Sequence, residues 1–208
     1  MSQALSKPTR LSTTQIDQAS SLLGRAFQND PLMIYVVPDA EKRRRLLPTL
    51  FRSAVSYCLR YGIIYTTPGL QGLVCCLPPG QTKTITRLAL TSLESVPFGL
   101  GLSGLRRFLY TSKYTASAHK QAASGDHWYV WVLGVDPEQQ GSGVGGQLLQ
   151  TVLQQAREQN VPCYLDTQNP RNVPFYQKQG LHQVSQTQIP GSDVQVYAML
   201  WEPDSTAS

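Results

Sequence analysis

The sequence predicts a mixed α/β layer structure, and three observations carry that prediction. Two N-terminal stretches repeat apolar residues at helical spacing. Two β-rich runs flank a Pro68-Gly69 turn. From His127 onward, strand-like and helix-like segments alternate to the end.

Taken in order, Thr9 to Leu11 reads as a short extended start, and Ser12 or Thr13 can cap a helix with Ile16, Ala19, Leu22, Leu23, Ala26 and Phe27 on one face. Asn29, Asp30 and Pro31 read as its stop. A second helix is predicted from Ala40 to Arg60, with Leu46, Leu47, Leu50, Phe51, Ala54, Val55 and Leu59 on one side, although Pro48 conflicts with a helix interior. Ile63 to Tyr65 and Gln71 to Leu77 should pair as an antiparallel hairpin. Lys83 to His119 mixes helical spacing with Gly99, Gly101 and Gly104, which suits a mobile, substrate-selecting element. His127 to Val135 then reads as a central strand ending at Asp136-Pro137. A helix from Val144 to Asn160, a strand Cys163 to Thr167, a short helix Asn172 to Gln179 closed by Gly180, and antiparallel strands Leu181 to Thr187 and Asp193 to Trp201 complete the series.

A length of 208 residues fits one domain, here read as an N-terminal half (1–126), a second half (127–203) and a tail (204–208). The N-terminus is polar and lacks a secretory signal, and the apolar stretch Leu88 to Leu109 is broken by Glu94, Pro97, Arg106 and Arg107. A cytoplasmic protein that neither spans nor binds a membrane is expected. Cys58, Cys75, Cys76 and Cys163 lack metal-ligand spacing and read as buried free thiols, so no metal is expected. Lys and Arg total 18 against 13 acidic residues, with the densest run at Lys42 to Arg45. Because that run precedes a helical apolar pattern and no recognition motif accompanies it, a solvated helix start is expected rather than a nucleic-acid site.

The chemistry is concentrated at Gln140-Gly141-Ser142-Gly143-Val144-Gly145-Gly146, between a predicted strand and a predicted amphipathic helix. Glycines let the backbone approach an anion, and the first helical N–H groups attract phosphate oxygens. The same residues contain G-x-G-x-x-G, and Asp166 lies downstream, so a dinucleotide site stays open on the turn alone. A P-loop is opposed by the lack of a following Gly-Lys-Ser or Gly-Lys-Thr.

Gln140-x-x-Gly143-x-Gly145 resembles the Gln/Arg-x-x-Gly-x-Gly/Ala coenzyme A signature of the GNAT acetyltransferase superfamily. Leu133-Gly134-Val135-Asp136-Pro137 upstream resembles the lead-in strand of that family. Asn169-Pro170-Arg171-Asn172-Val173-Pro174-Phe175-Tyr176, followed by Gly180-Leu181, resembles its Asn…Tyr-x-x-x-Gly-Phe block, with Leu where Phe is usual. Val132 to Trp201 is most similar to the puromycin N-acetyltransferase-like branch. The resemblance implies a GNAT-type, mostly antiparallel twisted sheet flanked by helices, with a splayed central strand pair holding the coenzyme. It implies acetyl-coenzyme A as cosubstrate and a small-molecule amine as acceptor, and it allows a homodimer.

By the same resemblance, Leu133, Gly134 and Val135 would line the pantetheine arm, and Gly141, Ser142, Gly143, Val144, Gly145 and Gly146 the pyrophosphate, with Gln140 fixing the turn. Asn169 and Asn172 would hydrogen-bond the arm, unless they serve only as turn and helix caps. Tyr176 is the expected general acid for the departing thiolate, and a core aromatic otherwise. For the base, Asp126, His127 and Asp166 are the titratable groups at the strand ends, and His127 is the named candidate. The competing reading is a non-catalytic acyl-coenzyme A binding or sensing module, against which Tyr176 speaks.

Overall fold

The computed structural model describes residues 6–81 and 97–203. Seven strands, β1 (Thr9–Arg10), β2 (Ile63–Thr66), β3 (Gly72–Leu77), β4 (Trp128–Val135), β5 (Cys163–Thr167), β6 (His182–Gln188) and β7 (Gln195–Trp201), form one sheet in the order β1-β2-β3-β4-β5-β7-β6. Every pairing is antiparallel except β4 with β5. The parallel pair runs from Trp128↔Cys163 only to Val130↔Leu165. Beyond that point β4 continues to Val135 against β3, and β5 continues to Thr167 against β7, so the two central strands part. The predicted mixed, mostly antiparallel sheet with a splayed centre is what the chain forms.

Among the described residues six α-helices flank the sheet: α1 (Ile16–Ala26), α2 (Pro31–Val36), α3 (Ala40–Tyr61), α4 (Pro97–Ala122), α5 (Val144–Gln159) and α6 (Val173–Lys178). One core joins Leu22 and Leu23 of α1, Leu47, Phe51 and Val55 of α3, and the sheet residues Leu73, Cys75, Tyr129, Val132 and Tyr164. The core on the other face joins Val144, Leu148, Leu149, Val152 and Leu153 of α5 to Val74, Cys76, Trp128, Val130, Cys163, Leu165 and Tyr176. Residues that alternate along β4 and β5 therefore fall into opposite cores. All four cysteines are buried and free, as expected. No helix among the described residues is long and apolar enough to cross a membrane.

The structure corrects or extends the sequence reading in three places. Asp30-Pro31 does not only end α1: Asp30 Oδ1 accepts the Leu32 and Met33 N–H groups at 2.9 and 3.3 Å and caps α2, with Pro31 at the first helical position. Pro48 sits inside an unbroken α3, where it packs against Gly24 of α1; a Cβ at Gly24 would lie 2.9 Å from the Pro48 ring. Of the stretch read as variable, residues 83–96 lie outside the described residues, as does the 204–208 tail. The remainder is α4, which bends at Gly101, whose φ is +68°.

The basic run is not wholly solvated either. Arg43 is 5% exposed. It donates from Nε to the Gln28 carbonyl (2.7 Å) and from Nη1 to those of Val37 (2.7 Å) and Pro38 (3.0 Å). One guanidinium thus joins the end of α1, the end of α2 and the start of α3, fixing the corner that contains Asp30. Arg43→Met keeps a similar stem but leaves three carbonyls without a charged donor. It should lower unfolding free energy by about 3 kcal/mol in chemical denaturation, against a change within about 0.5 kcal/mol for the exposed Arg44→Met.

Candidate functional site

The glycine-rich turn leaves β4 through a fixed corner. Asp136 accepts the Glu138 N–H at 3.2 Å and pairs with Arg25 of α1, whose guanidinium holds the carboxyl below its usual range. Ser142 closes the turn onto the Gln139 carbonyl through its hydroxyl at 2.6 Å. Gly141 and Gly143 have φ of +80° and +92°, in the left-handed region where a side chain is strained. Gly143 begins α5 with no side-chain cap, so the N–H groups of Val144, Gly145 and Gly146 are left for a ligand or water. A Cβ at Gly145 would lie 3.4 Å from Val135 and 3.5 Å from Phe175, and one at Gly146 would lie 3.3 Å from Gln179. These two glycines let α5 pack closely on β4 and α6.

At the open edge of β4, backbone direction follows from alternation along the strand. The Asp136 N–H donates to the Gln71 carbonyl at 2.8 Å, toward β3. Leu133 and Val135 therefore turn their backbone groups to the opposite edge, where β5 has departed, and Gln140 Nε2 reaches the Val135 carbonyl at 3.3 Å. Gly134 is filled from the α1 side, since a Cβ there would meet Leu23 Cδ2 at 2.4 Å. Its glycine character belongs to helix packing.

Beyond β5, Asn169 accepts the Arg171 N–H at 3.1 Å and caps the single turn Pro170–Asn172. Asn172 Nδ2 donates to Thr167 Oγ1 at 3.2 Å. Both asparagines thus hold the loop between β5 and α6, and that loop delivers Tyr176 into the α5-side core at 7% exposure. Burial pushes the Tyr176 phenol up, and the charges of Asp166 and Asp30 add to this. The phenol stays protonated, the state an acid needs.

Asp166 is half-buried; its Oδ1 accepts from Tyr129 Oη at 3.3 Å and its Oδ2 from Gln168 Nε2 at 2.7 Å. Burial pushes it up to about 6, against the two donors. Asp30, also half-buried, is pushed up to about 6 by burial against its backbone N–H bonds. His127 lies elsewhere. It is 4% exposed, with Nδ1 on the Gly125 carbonyl at 2.6 Å and Nε2 on His119 Nε2 of α4 at 2.7 Å. The structure therefore groups Tyr176 with Asp166 and Asp30 and sets His127 with His119. Asp30 could have been found only by reading Asp-Pro as a helix start, and no local signal pairs His119 with His127. Asp126 is exposed. Among the described residues, no group of three or more His, Cys, Asp or Glu could hold a metal ion.

Residues 108–181 match the model of the acetyltransferase (GNAT) family. A solved structure described as histone acetyltransferase HPA2 and related acetyltransferase, from Corynebacterium glutamicum, superposes with a TM-score of 0.68 at 15% identity, over 99% of this chain and 100% of that one. The fold is the GNAT acetyltransferase fold. A Drosophila melanogaster polyamine N-acetyltransferase superposes with a TM-score of 0.59 at 18% identity, over 94% of this chain and 98% of that one. In sequence, an uncharacterized N-acetyltransferase of Schizosaccharomyces pombe is 22% identical over 82% of this chain and 72% of its own length. Together the matches support an acyltransferase.

Within this GNAT fold, α4 is tied to the sheet through imidazoles. His119 stacks on Tyr164 at 4.3 Å between ring centroids and lies 4.4 Å from Tyr129. The Tyr164 hydroxyl beneath it is buried without a hydrogen-bond partner among the described residues. Burial, with His127 adding to it, pushes His119 down to about 4, and burial lowers His127 as well. The unfolded chain protonates these rings near their ordinary value of 6.5. Their contribution to stability is therefore complete above that pH and is lost as pH falls toward about 4. Asp30 and Asp166, raised in the fold, titrate in the opposing sense, so the comparison must be differential. Between pH 7 and 4.5, wild type should lose about 2 kcal/mol more unfolding free energy than His119→Phe, as read by urea titration at each pH.

Proposed function

We propose that the chain is a single-domain N-acetyltransferase that moves the acetyl group of acetyl-coenzyme A to an amine by direct attack on the thioester. The observation that carries this is the parting of β4 from β5 beside an uncapped, glycine-initiated helix N-terminus. An extended amide-bearing arm can pair along the freed edge through Leu133 and Val135, while its pyrophosphate takes the N–H groups from Gly141 to Gly146. Gln140 fixes the corner through the Val135 carbonyl, and Asn169 and Asn172 hold the loop on the far side of the gap. Tyr176 protonates the departing thiolate. His127 serves as a positioning residue for α4 rather than as the base, because both ring nitrogens are engaged inside the core.

The GNAT family model and the fold support this reading, and the Pro-Arg-Asn-x-Pro-Phe-Tyr phrase favours the puromycin N-acetyltransferase-like branch. The acceptor is a small-molecule amine, and its choice lies with α2, α4 and the β6–β7 turn. Thiol release from acetyl-coenzyme A with putrescine, tyramine, glycine and a short peptide N-terminus is the direct test. No turnover with any of them, despite coenzyme binding, would favour the non-catalytic binding module.

Titration calorimetry should show acetyl-coenzyme A binding far more tightly than NAD. Gly143→Asp sets a Cβ and a carboxylate in a left-handed position at the helix start, and should weaken that binding at least about tenfold, or ~1.4 kcal/mol. Unchanged affinity in the folded variant would remove the phosphate from this turn.

Tyr176→Phe keeps the ring in its core and deletes the hydroxyl. Its single-turnover rate should fall on the order of a hundredfold, with coenzyme affinity within about threefold of wild type. A wild-type rate would leave Tyr176 as a core aromatic and proton donation to water.

A further inference from the structure

We propose that Asp166 takes the proton from the acceptor ammonium, working from the sheet face opposite Tyr176 and positioned by Tyr129; this rests on the acetyltransferase reading above. The last paired residues of the central strands are Val130 and Leu165, and Asp166 is the next residue of β5, at the mouth of the gap. Cys163 and Leu165 pack in the α5-side core, whereas Tyr164 packs in the core beneath α1 and α3. Alternation puts Asp166 on the Tyr164 face. Its hydrogen bond from Tyr129, a member of that same core, agrees. Tyr176 belongs to the other core. The two groups address one gap from opposite faces, close enough for the carboxylate charge to act on the phenol.

On the face of Asp166, α2, α4 and the β6–β7 hairpin form a further enclosure. Leu32 and Tyr35 of α2 and Tyr114 of α4 pack with Ile189, Val194 and Val196 of the β6–β7 hairpin. An amine entering there meets the carboxylate before the thioester, while the donor substrate runs along the glycine turn on the α5 side. The rival groups are otherwise occupied. His127 has both nitrogens bonded in the core, Asp126 is exposed, and Asp30 caps α2 with its Oδ1.

The proton balance closes on these residues. The ammonium gives one proton to Asp166 and becomes a neutral amine. Its lone pair forms the N–C bond to the thioester carbonyl, and the C–S bond breaks. Sulfur takes the Tyr176 proton, and the Tyr176 oxygen recovers one from the newly bonded nitrogen, leaving a neutral amide. Asp166 then releases its proton to solvent. A carboxylate raised toward 6 is ionised at neutral pH yet more basic than an ordinary one.

The groups around Asp166 are Tyr129 of β4, Tyr164 of β5, Tyr176 of α6 and His119 of α4, with Asp30 at the α1–α2 corner. The tyrosines are held high, His119 is held low and burial lowers the neighbouring His127, while the two aspartates are pushed up to about 6. The experiment is the pH dependence of the single-turnover rate in the full chain, with saturating acetyl-coenzyme A and whichever amine of the panel above is acetylated fastest. In wild type the rate should rise through about pH 6 to a plateau. Asp166→Asn should abolish that limb and lower the plateau on the order of a hundredfold, with acetyl-coenzyme A affinity within about threefold. Asp30→Asn should keep the limb. Tyr129→Phe removes a donor that favours the ionised carboxylate, so the limb should move upward by about half a unit to one unit. If Asp166→Asn does not fold, the Tyr129→Phe shift decides by itself. A limb that survives in Asp166→Asn, disappears in Asp30→Asn, or stays in place in Tyr129→Phe overturns the assignment. Acetylation of no amine in the panel would instead remove the transferase reading beneath it.

Discussion

The constraint on which the structure turns is that two parallel central strands pair over three residue pairs and then separate. A strand inside a sheet ordinarily satisfies its backbone groups on both edges, and leaving one edge open within a folded chain costs free energy unless water or a ligand takes the place of the missing neighbour. Here the outer edges stay intact, because β3 follows β4 to Val135 and β7 follows β5 to Thr167. The sheet therefore keeps its continuity through the first half of the central pair and opens only at one end. That combination produces a slot with rigid walls.

Each wall of the slot is held from its own side of the sheet. On one face, α5 packs against β4 and meets α6 through Gly145 and Gly146, so the helix start and Tyr176 are set by the same contacts. On the other face the support is less regular. Arg43 ties the α1–α2 corner through three carbonyls, and the His119–His127 pair ties α4 to the start of β4. Both ties bury groups that water solvates well, and burial holds both imidazoles neutral. Their contribution is geometric more than energetic: a hydrogen-bonded polar group buried without alternatives admits few competing arrangements.

The sequence was most legible where the chemistry is backbone chemistry. The glycine turn, the helix that follows it, the loop from Asn169 to Tyr176 and the succession of strands and helices along the chain all show in residue type and spacing, because φ, caps and apolar alternation are local properties. Legibility failed where one residue serves two elements. Asp30-Pro31 ends one helix and begins the next, and the same pair of residues satisfies either description. Pro48 is unfavourable in isolation and tolerated only because Gly24 on another helix makes room for its ring. Arg43 resembles its exposed neighbours Arg44 and Arg45 in sequence, and only the meeting of three chain segments distinguishes it. His127 offered a suitable titratable group at the right strand, but its partner comes from α4, a segment with no readable fold of its own.

This division has a consequence for how such a site can change. The slot proposed for the donor depends on backbone hydrogen bonding and on glycines whose replacement is strained or would collide, so few substitutions would keep its shape. The face proposed for the acceptor is lined by side chains from α2, α4 and the β6–β7 turn, which lie outside the β4–β5 pairing. Leu32, Tyr35 and Tyr114 are partly buried at the margins of neighbouring cores, so changes in their size and polarity fall outside the register of β4, β5 and α5. Arg43 and the histidine pair hold those segments at their ends and leave their inward faces free to differ. Under the proposed function, a new amine would be admitted by altering a few contacts on one face, without disturbing the opening between the strands.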